Sequence, residues 1–155
     1  MKNSKILRSI ALLLILIMSF MLSACGGDSS SSDVTCLSDG TYEGRSSDYD
    51  ADESGNGAGY GVAKVTFADG AVTACEFTMY ELDGTVKDDT YGADLSQENR
   101  LKAQKAVQAG QKYAAALVEN GSLDSVDAIT GATISYNEFV EAVNNATNQA
   151  ESCCD

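Results

Sequence analysis

The sequence predicts an α+β domain in which a small antiparallel sheet, containing a hairpin, packs against two helices. Three observations support this fold class. Apolar and polar residues alternate strictly from Tyr60 onward, Asp69-Gly70 interrupts the alternation, and two later stretches have helical periodicity. A chain of this size can bury one modest core, so we expect a single domain over residues 39–150.

A period of two identifies the strands. The inward face of the first long strand is predicted to contain Ala63, Val65 and Phe67. Asp69-Gly70 supplies the positive φ angles of a tight hairpin. The return strand is predicted to place on one face Cys75, Phe77 and Met79. Upstream, residues 39–44 have the composition of a turn that leads into a short strand.

Two segments are predicted to be loops. Residues 46–59 are acidic and glycine-rich, and the spacing of their aspartates suggests a calcium-binding loop. That interpretation fails because Glu53 stands where a sharp turn needs glycine, and Gly59 stands where a bidentate glutamate is needed. Residues 86–92 are polar and charged, with Tyr91 as their large ring, so we expect a loop that covers another part of the domain.

Two helices are predicted in the second half of the chain. Asp94 or Ser96 can cap the first helix, and Asn120-Gly121 can end it. Its apolar face contains Val107, Gly110, Ala114, Leu117 and Val118. The opposite face carries three lysines, Lys102, Lys105 and Lys112, and this favours a solvated surface over a docking patch for an acidic partner. The last helix, about residues 136–148, is predicted to bury Phe139, Val140, Val143 and Ala146.

The N-terminus has the pattern of a lipoprotein signal peptide over residues 1–24. Lys2, Lys5 and Arg8 precede an apolar stretch that is short for a membrane span. The stretch ends at Leu22-Ser23-Ala24-Cys25, where small residues admit a signal peptidase and the cysteine thiol can accept diacylglycerol. We therefore expect Cys25 to anchor the chain in the lipid bilayer at the outer face of the cell membrane. An uncleaved transmembrane anchor is the alternative.

The net charge of the chain limits which partners it can bind. All 23 acidic residues follow Cys25, but only seven of the ten basic residues do, so the mature chain has a formal charge of 7 minus 23, or −16. Nucleic acid is therefore not an expected partner.

Residues 25–38 have the composition of a serine-rich tether, and residues 151–155 form a short tail. Three complete disulfide pairings remain open for Cys36, Cys75, Cys153 and Cys154, and with no histidine in the chain we predict no metal site.

One motif between the two helices carries chemistry. It reads Asp127-Ala128-Ile129-Thr130-Gly131-Ala132-Thr133-Ile134-Ser135, and Ser135 with Glu138 has the spacing of a capping box. A helix N-terminus that opens at Ser135 would present unpaired N–H groups to an anion. Gly131 and Ala132 would let a ligand approach the backbone, and the nearby hydroxyls can bind phosphate oxygens. An ordinary capped loop fits the same residues.

This motif resembles the signature of the FMN-binding domain family, which includes the covalent-flavin subunits of sodium-pumping quinone reductases. The signature is Asp, two residues, Ser or Thr, Gly-Ala-Thr and a nearby Ser or Thr, and residues 127–135 match it throughout. The likeness covers nearly all of the predicted domain, and the chain looks most like extracellular electron-transfer lipoproteins of Gram-positive bacteria.

The resemblance implies a role for each residue of the motif. Thr133 would carry FMN through a phosphoester that a flavin transferase installs, and Asp127 would orient or activate its hydroxyl. Thr130, Gly131, Ala132 and Ser135 would hold the phosphate. Met79, Tyr80 and Tyr91 are candidates for the wall beside the flavin ring.

The function that follows is electron transfer. The resemblance implies a tethered carrier that receives electrons from a membrane donor and passes them to an extracellular acceptor. The sequence shows no constellation of nucleophile, base and acid, which favours an electron-transfer flavoprotein over a freestanding enzyme. The alternative is a solute-binding or adhesive surface lipoprotein without redox chemistry, in which the motif only caps a helix.

Overall fold

The structure, a computed structural model, describes residues 36–51 and 57–151. It contains three strands, β1 (Gly40–Arg45), β2 (Tyr60–Ala68) and β3 (Ala71–Tyr80), and two α-helices, α1 (Gln97–Asn120) and α2 (Thr133–Glu151). A short 3-10 helix, Leu123–Ser125, lies between the helices. The signal peptide, Cys25, most of the tether, Asp52 and Glu53 of the acidic loop, and both C-terminal cysteines lie outside the described residues.

The three strands form an antiparallel sheet in the order β1-β2-β3. Val65 at the centre of β2 pairs with Tyr42 on one side and with Cys75 on the other. The turn from β2 to β3 has φ angles of 53° at Asp69 and 73° at Gly70, as the hairpin motif predicts. Alternate residues of β2 are buried, which confirms the predicted inward face.

Both helices cover this sheet, so the predicted α+β class is confirmed. α1 packs on β3, whereas α2 packs on β1 and β2. Ser96 caps α1 by accepting a hydrogen bond from the N–H of Asn99, and the helix ends at Gly121 with a left-handed φ of 70°. Among the described residues, no helix is long and apolar enough to cross a membrane.

The core lies between the sheet and the two helices. Its largest fully buried apolar side chains are Val65, Tyr113, Leu117 and Phe139. The ring of Phe139 meets that of Phe77 edge to face at 5.2 Å, which joins α2 to the hairpin. The prediction for Val118 was wrong, because this residue is 36% exposed at the edge of the buried stripe. Val107 and Val140, also predicted to be apolar contacts, are half-buried.

The two cysteines that the structure describes, Cys36 and Cys75, exclude one of the possible disulfide bonds. Cys36 is disulfide-bonded. Cys75 is a free thiol on β3, so it does not pair with Cys36. Burial raises the pKa of the Cys75 thiol to about 11, with a smaller contribution from the charge of Glu76. Cys75 is therefore a protonated packing residue at neutral pH rather than a nucleophile.

Candidate functional site

The motif of residues 127–135 leads directly into α2, but the helix starts two residues earlier than the sequence suggests. α2 begins at Thr133, and its first turn is closed by a 3.0 Å hydrogen bond from the N–H of Tyr136 to the carbonyl oxygen of Ala132. The predicted capping box is therefore wrong. Ser135 and Glu138 are instead buried inside the first turns. The N–H groups of the first helical turn have no intrahelical acceptor, and the first of them belongs to Thr133.

Two tyrosines hold the motif in place. The hydroxyl of Tyr113 on α1 accepts a 3.0 Å hydrogen bond from the N–H of Ile129 and donates a 3.3 Å bond to the carbonyl oxygen of Ala132. The hydroxyl of Tyr136 donates to the carbonyl oxygen of Val126 at 2.9 Å. Sequence analysis missed both roles. Tyr113 does fall at the helical spacing of the apolar face of α1, so its burial was detectable, but its hydrogen-bond partners were not.

A glycine and a lysine meet beside Thr133. Gly131 has a φ of +78°, a backbone conformation that side chains disfavour. A β-carbon built on Gly131 would lie 3.3 Å from Nζ of Lys105. Lys105 is exposed, as its predicted place on a solvated helix face requires, and its ammonium group also lies next to the exposed backbone of the motif. The place where the helix N-terminus attracts an anion therefore also has a cation beside it.

A cavity of about 650 Å³ opens next to the same helix end. Ile134, Ser135 and Glu138 of α2 line it, so the residue immediately after Thr133 already belongs to its wall. The first half of α1 also lines it, through Ala103, Ala106 and Val107, among others. This volume lies in the range of sites that bind cofactors and drug-sized ligands.

The third wall is the segment that follows β3. Val86 forms an antiparallel bridge with Tyr80, and turns follow at residues 89–94. Gln104 on α1 fixes these turns, because its side-chain amide donates hydrogen bonds to the carbonyl oxygens of Asp88 at 3.2 Å and Tyr91 at 2.8 Å. The loop predicted over residues 86–92 thus covers the cavity.

The predicted ring-wall candidates divide into two groups. Met79 and Tyr91 line the cavity. Tyr80 does not, because it points to the other side of the strand and stacks on Tyr60 with ring centroids 5.2 Å apart.

The cavity also has a buried polar wall. Lys87 is 7% exposed and Glu138 is 1% exposed. Nζ of Lys87 donates a 3.2 Å hydrogen bond to the carbonyl oxygen of Gly57 and lies 5.3 Å from the ring centroid of Tyr91. Oε1 of Glu138 has no hydrogen-bond partner among the described residues. Neither residue was predicted to line a cavity, since they come from separate segments of the chain and only the fold brings them together.

The structure gives the predicted motif residues different surroundings. Thr133, Thr130, Gly131 and Asp127 are exposed, Ala132 is buried in the core, and Ser135 is buried against the cavity. Asp127 lies outside the cavity wall and is accessible from solvent. The motif therefore places an exposed threonine at a helix N-terminus, and the next two residues, Ile134 and Ser135, line the cavity.

The fold and the site together define a class: a small α+β domain with an anion-attracting helix end beside a cavity of mixed apolar and polar lining. The model of one family, the FMN-binding domain, matches residues 58–148. That match covers more than half of the chain and contains the complete motif, so the chain belongs to the FMN-binding domain family.

One solved structure shows the same fold. It is the crystal structure of the CPE2226 protein from Clostridium perfringens, which is 22% identical in sequence and has a TM-score of 0.55. The similarity covers 76% of this chain and 92% of that chain. No match is found among curated proteins.

Proposed function

We propose that this protein is a membrane-anchored electron carrier whose FMN is attached covalently to Thr133 on the outer side of the cell membrane. The observation that carries the proposal is the position of Thr133. Its exposed hydroxyl stands at the first residue of α2, and the next residue lines the cavity. A phosphate on Thr133 would meet the N–H groups of the helix end, and a ring system attached to it would be in reach of the cavity.

The residues present fit FMN. Lys105 beside Gly131 supplies a positive charge near the phosphate, in a mature chain of formal charge −16. Met79, Tyr91 and Val107 supply apolar surface to a flat aromatic ring, and the unpartnered Oε1 of Glu138 can accept a hydrogen bond from a ligand N–H or hydroxyl. When bound, FMN supplies the redox chemistry, while the chain positions it and sets its electrostatic surroundings.

Attachment requires a partner enzyme. In the proposed step, the hydroxyl oxygen of Thr133 forms a bond to the phosphorus on the FMN side of FAD. The diphosphate bond of FAD breaks, AMP leaves with the bonding electron pair, and the hydroxyl proton passes to a base. Asp127 is exposed, so in complex with a flavin transferase its carboxylate is free to help orient or deprotonate that hydroxyl. Thr130, Gly131 and Ser135 would hold the phosphate end. Ala132, also predicted to do so, is buried in the core, and its N–H is bonded to the carbonyl oxygen of Ile129.

Location and partners complete the proposal. Lipid on Cys25 would tether the domain to the bilayer, and covalent attachment would keep a cofactor that dilution outside the cell would otherwise remove. A membrane reductase would supply electrons, and extracellular acceptors would receive them. The surrounding negative charge should lower the potential of the flavin, and salt should weaken that effect.

The decisive experiment is denaturing electrophoresis of the chain co-expressed with a flavin transferase. Unfolding abolishes pocket binding but leaves a phosphoester intact, so the wild type should give a fluorescent band. Thr133→Ala should remove the band, Thr133→Ser should retain some of it, and omission of the transferase should abolish it. Thr73→Ala, an equal change at an exposed position on β3, serves as the matched control and should leave the band unchanged.

Two results would contradict the proposal. A band of full intensity in Thr133→Ala, with the flavin peptide mapped elsewhere, would refute the attachment site. A colourless wild type made with a competent transferase and FAD would refute covalent attachment and favour a binding lipoprotein without redox chemistry.

A further inference from the structure

Glu138 is the one buried acid among the described residues, and it faces the cavity. It follows Thr133 on α2 by a little more than one turn and is 1% exposed. Its Oε1 is buried without a hydrogen-bond partner in the described part of the chain. A buried carboxyl group with an unused oxygen is costly in the folded state, so its presence in a cavity wall indicates a role there.

The positive charge that acts on Glu138 belongs to Lys87, which does not contact it directly. Lys87 is hydrogen-bonded to the carbonyl oxygen of Gly57 and forms no direct ion pair with Glu138. Burial lowers the pKa of Lys87, and the charges of Glu138 and Glu81 act in the opposite direction. The cavity therefore contains an anchored ammonium group on one wall and a carboxyl group on another, free of direct bonds to each other.

Other ionisable groups surround this pair. Those that line the cavity or act on Glu138 are Tyr49, Glu81, Tyr91, Asp94 and Lys102. The pKa values of Tyr49 and Tyr91 are raised, first by burial and then by nearby carboxylates, so both hydroxyls stay protonated at neutral pH. Glu81 is half-buried, and Asp94 and Lys102 are exposed to solvent. Glu138 is thus the acid in this group whose charge has the least access to water.

Burial also places the titration of Glu138 in the neutral range. It raises the pKa of the carboxyl group to about 7, although the charge of Lys87 acts to lower it. Additional negative charge in the cavity would raise that pKa further, because like charges in a poorly hydrated space disfavour ionisation.

Resting on the proposed occupancy of the cavity by flavin, we propose that Glu138 takes up a proton from solvent when electrons enter the cavity and releases it when they leave. The carboxylate becomes a neutral carboxylic acid, which offsets one negative charge. Two electrons come from the donor, here a low-potential reductase or dithionite, and any proton bound by a reduced flavin would be counted separately. The proton on Glu138 is additional to that one, and it returns to solvent on reoxidation.

The test compares the flavinylated full chain, purified in detergent, as wild type, Glu138→Gln and Glu141→Gln. Glu141 is the matched control, because it lies one turn further on the same helix and binds Ser47 and Tyr49 outside the cavity. Anaerobic spectroelectrochemistry should give a wild-type potential that changes more steeply with pH around neutrality than that of Glu138→Gln. Glu141→Gln should follow the wild type.

Proton uptake provides a direct count. In weak buffer with an indicator dye, the wild type reduced by dithionite at about pH 7 should take up more protons per electron pair than Glu138→Gln, by a fraction below one. Carbon-13 NMR of the glutamate carboxyl groups should show one group titrating near neutrality in the flavin-free chain, absent from Glu138→Gln. In the flavinylated chain, the midpoint of this group should move to higher pH when the flavin is reduced.

The outcomes separate the two proposals. Fluorescent chains with superimposable potential curves for wild type and Glu138→Gln would overturn this inference and leave the proposed function intact. A wild type without a fluorescent band would overturn both. If Glu138→Gln fails to fold, Lys87→Met replaces it: loss of the cation should move the steep part of the potential curve to higher pH, and an unmoved curve would overturn the inference.

Discussion

Replacing Glu138 with glutamine should remove a pH-dependent loss of stability from the flavin-free chain. Burial raises the pKa of this carboxyl group from 4.5 in an unfolded chain to about 7 in the folded state. Glutamine has nearly the same shape and stays neutral at every pH. The substitution therefore tests how much free energy the buried charge costs, without opening a cavity in the core.

The sign and size follow from proton linkage. Below about pH 4.5 the carboxyl group is protonated in both states and costs nothing. Between that value and about 7 the folded state binds more protons than the unfolded state, so stability falls as the pH rises. Above this range, the buried charge lowers the free energy of unfolding by its full amount. A shift from 4.5 to about 7, at about 1.4 kcal/mol per pKa unit, gives roughly 3 kcal/mol. The stability of Glu138→Gln relative to wild type should rise by that amount between about pH 4.5 and about pH 8.5.

Urea unfolding followed by far-ultraviolet circular dichroism, at a series of pH values, measures this difference. Any constant offset from the amide group of glutamine cancels, because only the change with pH is used. Glu141→Gln is the control with the opposite trend: hydrogen bonding by Ser47 lowers the pKa of Glu141, so its stabilising effect is present above its unfolded pKa and is lost in acid. A free-energy difference for Glu138→Gln that is the same at every pH would refute the reasoning.

Three further predictions concern the motif and the free thiol. Tyr113→Phe removes the hydroxyl that bonds Ile129 and Ala132, so it should cost about 1–2 kcal/mol in urea unfolding and slow flavin attachment; attachment at the wild-type rate would show that this anchor is dispensable. Lys105→Gln should slow attachment at low salt, whereas Lys112→Gln, an exposed change on the same helix, should not. Cys75, with its pKa raised to about 11, should react with iodoacetamide at neutral pH far more slowly than an unfolded cysteine, and equal rates would contradict its burial.

Sequence predicted the elements whose signals are local. The hairpin depends on the left-handed angles of Asp69 and Gly70, and the limits of α1 depend on Ser96 and Gly121. Each of these residues acts on neighbours within a few positions, so its type alone indicates the structure. The alternation along β2 was equally reliable, because one face of that strand is buried throughout.

The start of α2 was mispredicted because distant residues determine it. Ser135 and Glu138 have the spacing of a capping box, but Tyr113 on α1 fixes the carbonyl oxygen of Ala132 and the N–H of Ile129. The helix then begins at Thr133. Glu138 consequently turns into the cavity instead of reaching back to the helix end. For the same reason sequence analysis did not predict that Glu138 would be a buried acid in the cavity wall.

The position of α2 on the sheet also depends on Gly44, through packing that the sequence does not reveal. In the sequence it ends a segment with the composition of a turn, yet in the structure it lies within β1 and pairs with Ala63. A β-carbon there would overlap the carbonyl oxygen of Ala142 and the amide nitrogen of Ala146, both in the backbone of α2. Backbone atoms cannot rotate away, so any side chain would push the helix off the sheet.

Gly44→Ala should therefore destabilise the domain by about 3 kcal/mol or more, as overpacking of a rigid interface does. It should also weaken flavin attachment, because α2 carries both Thr133 and the cavity wall. Gly121→Ala is the matched control: no atom lies within 4 Å of its added methyl group, and only its φ of 70° opposes the change. That variant should lose about 1 kcal/mol and keep normal attachment. Equal losses in urea unfolding for the two variants would show that contact between β1 and α2 does not set the position of the helix.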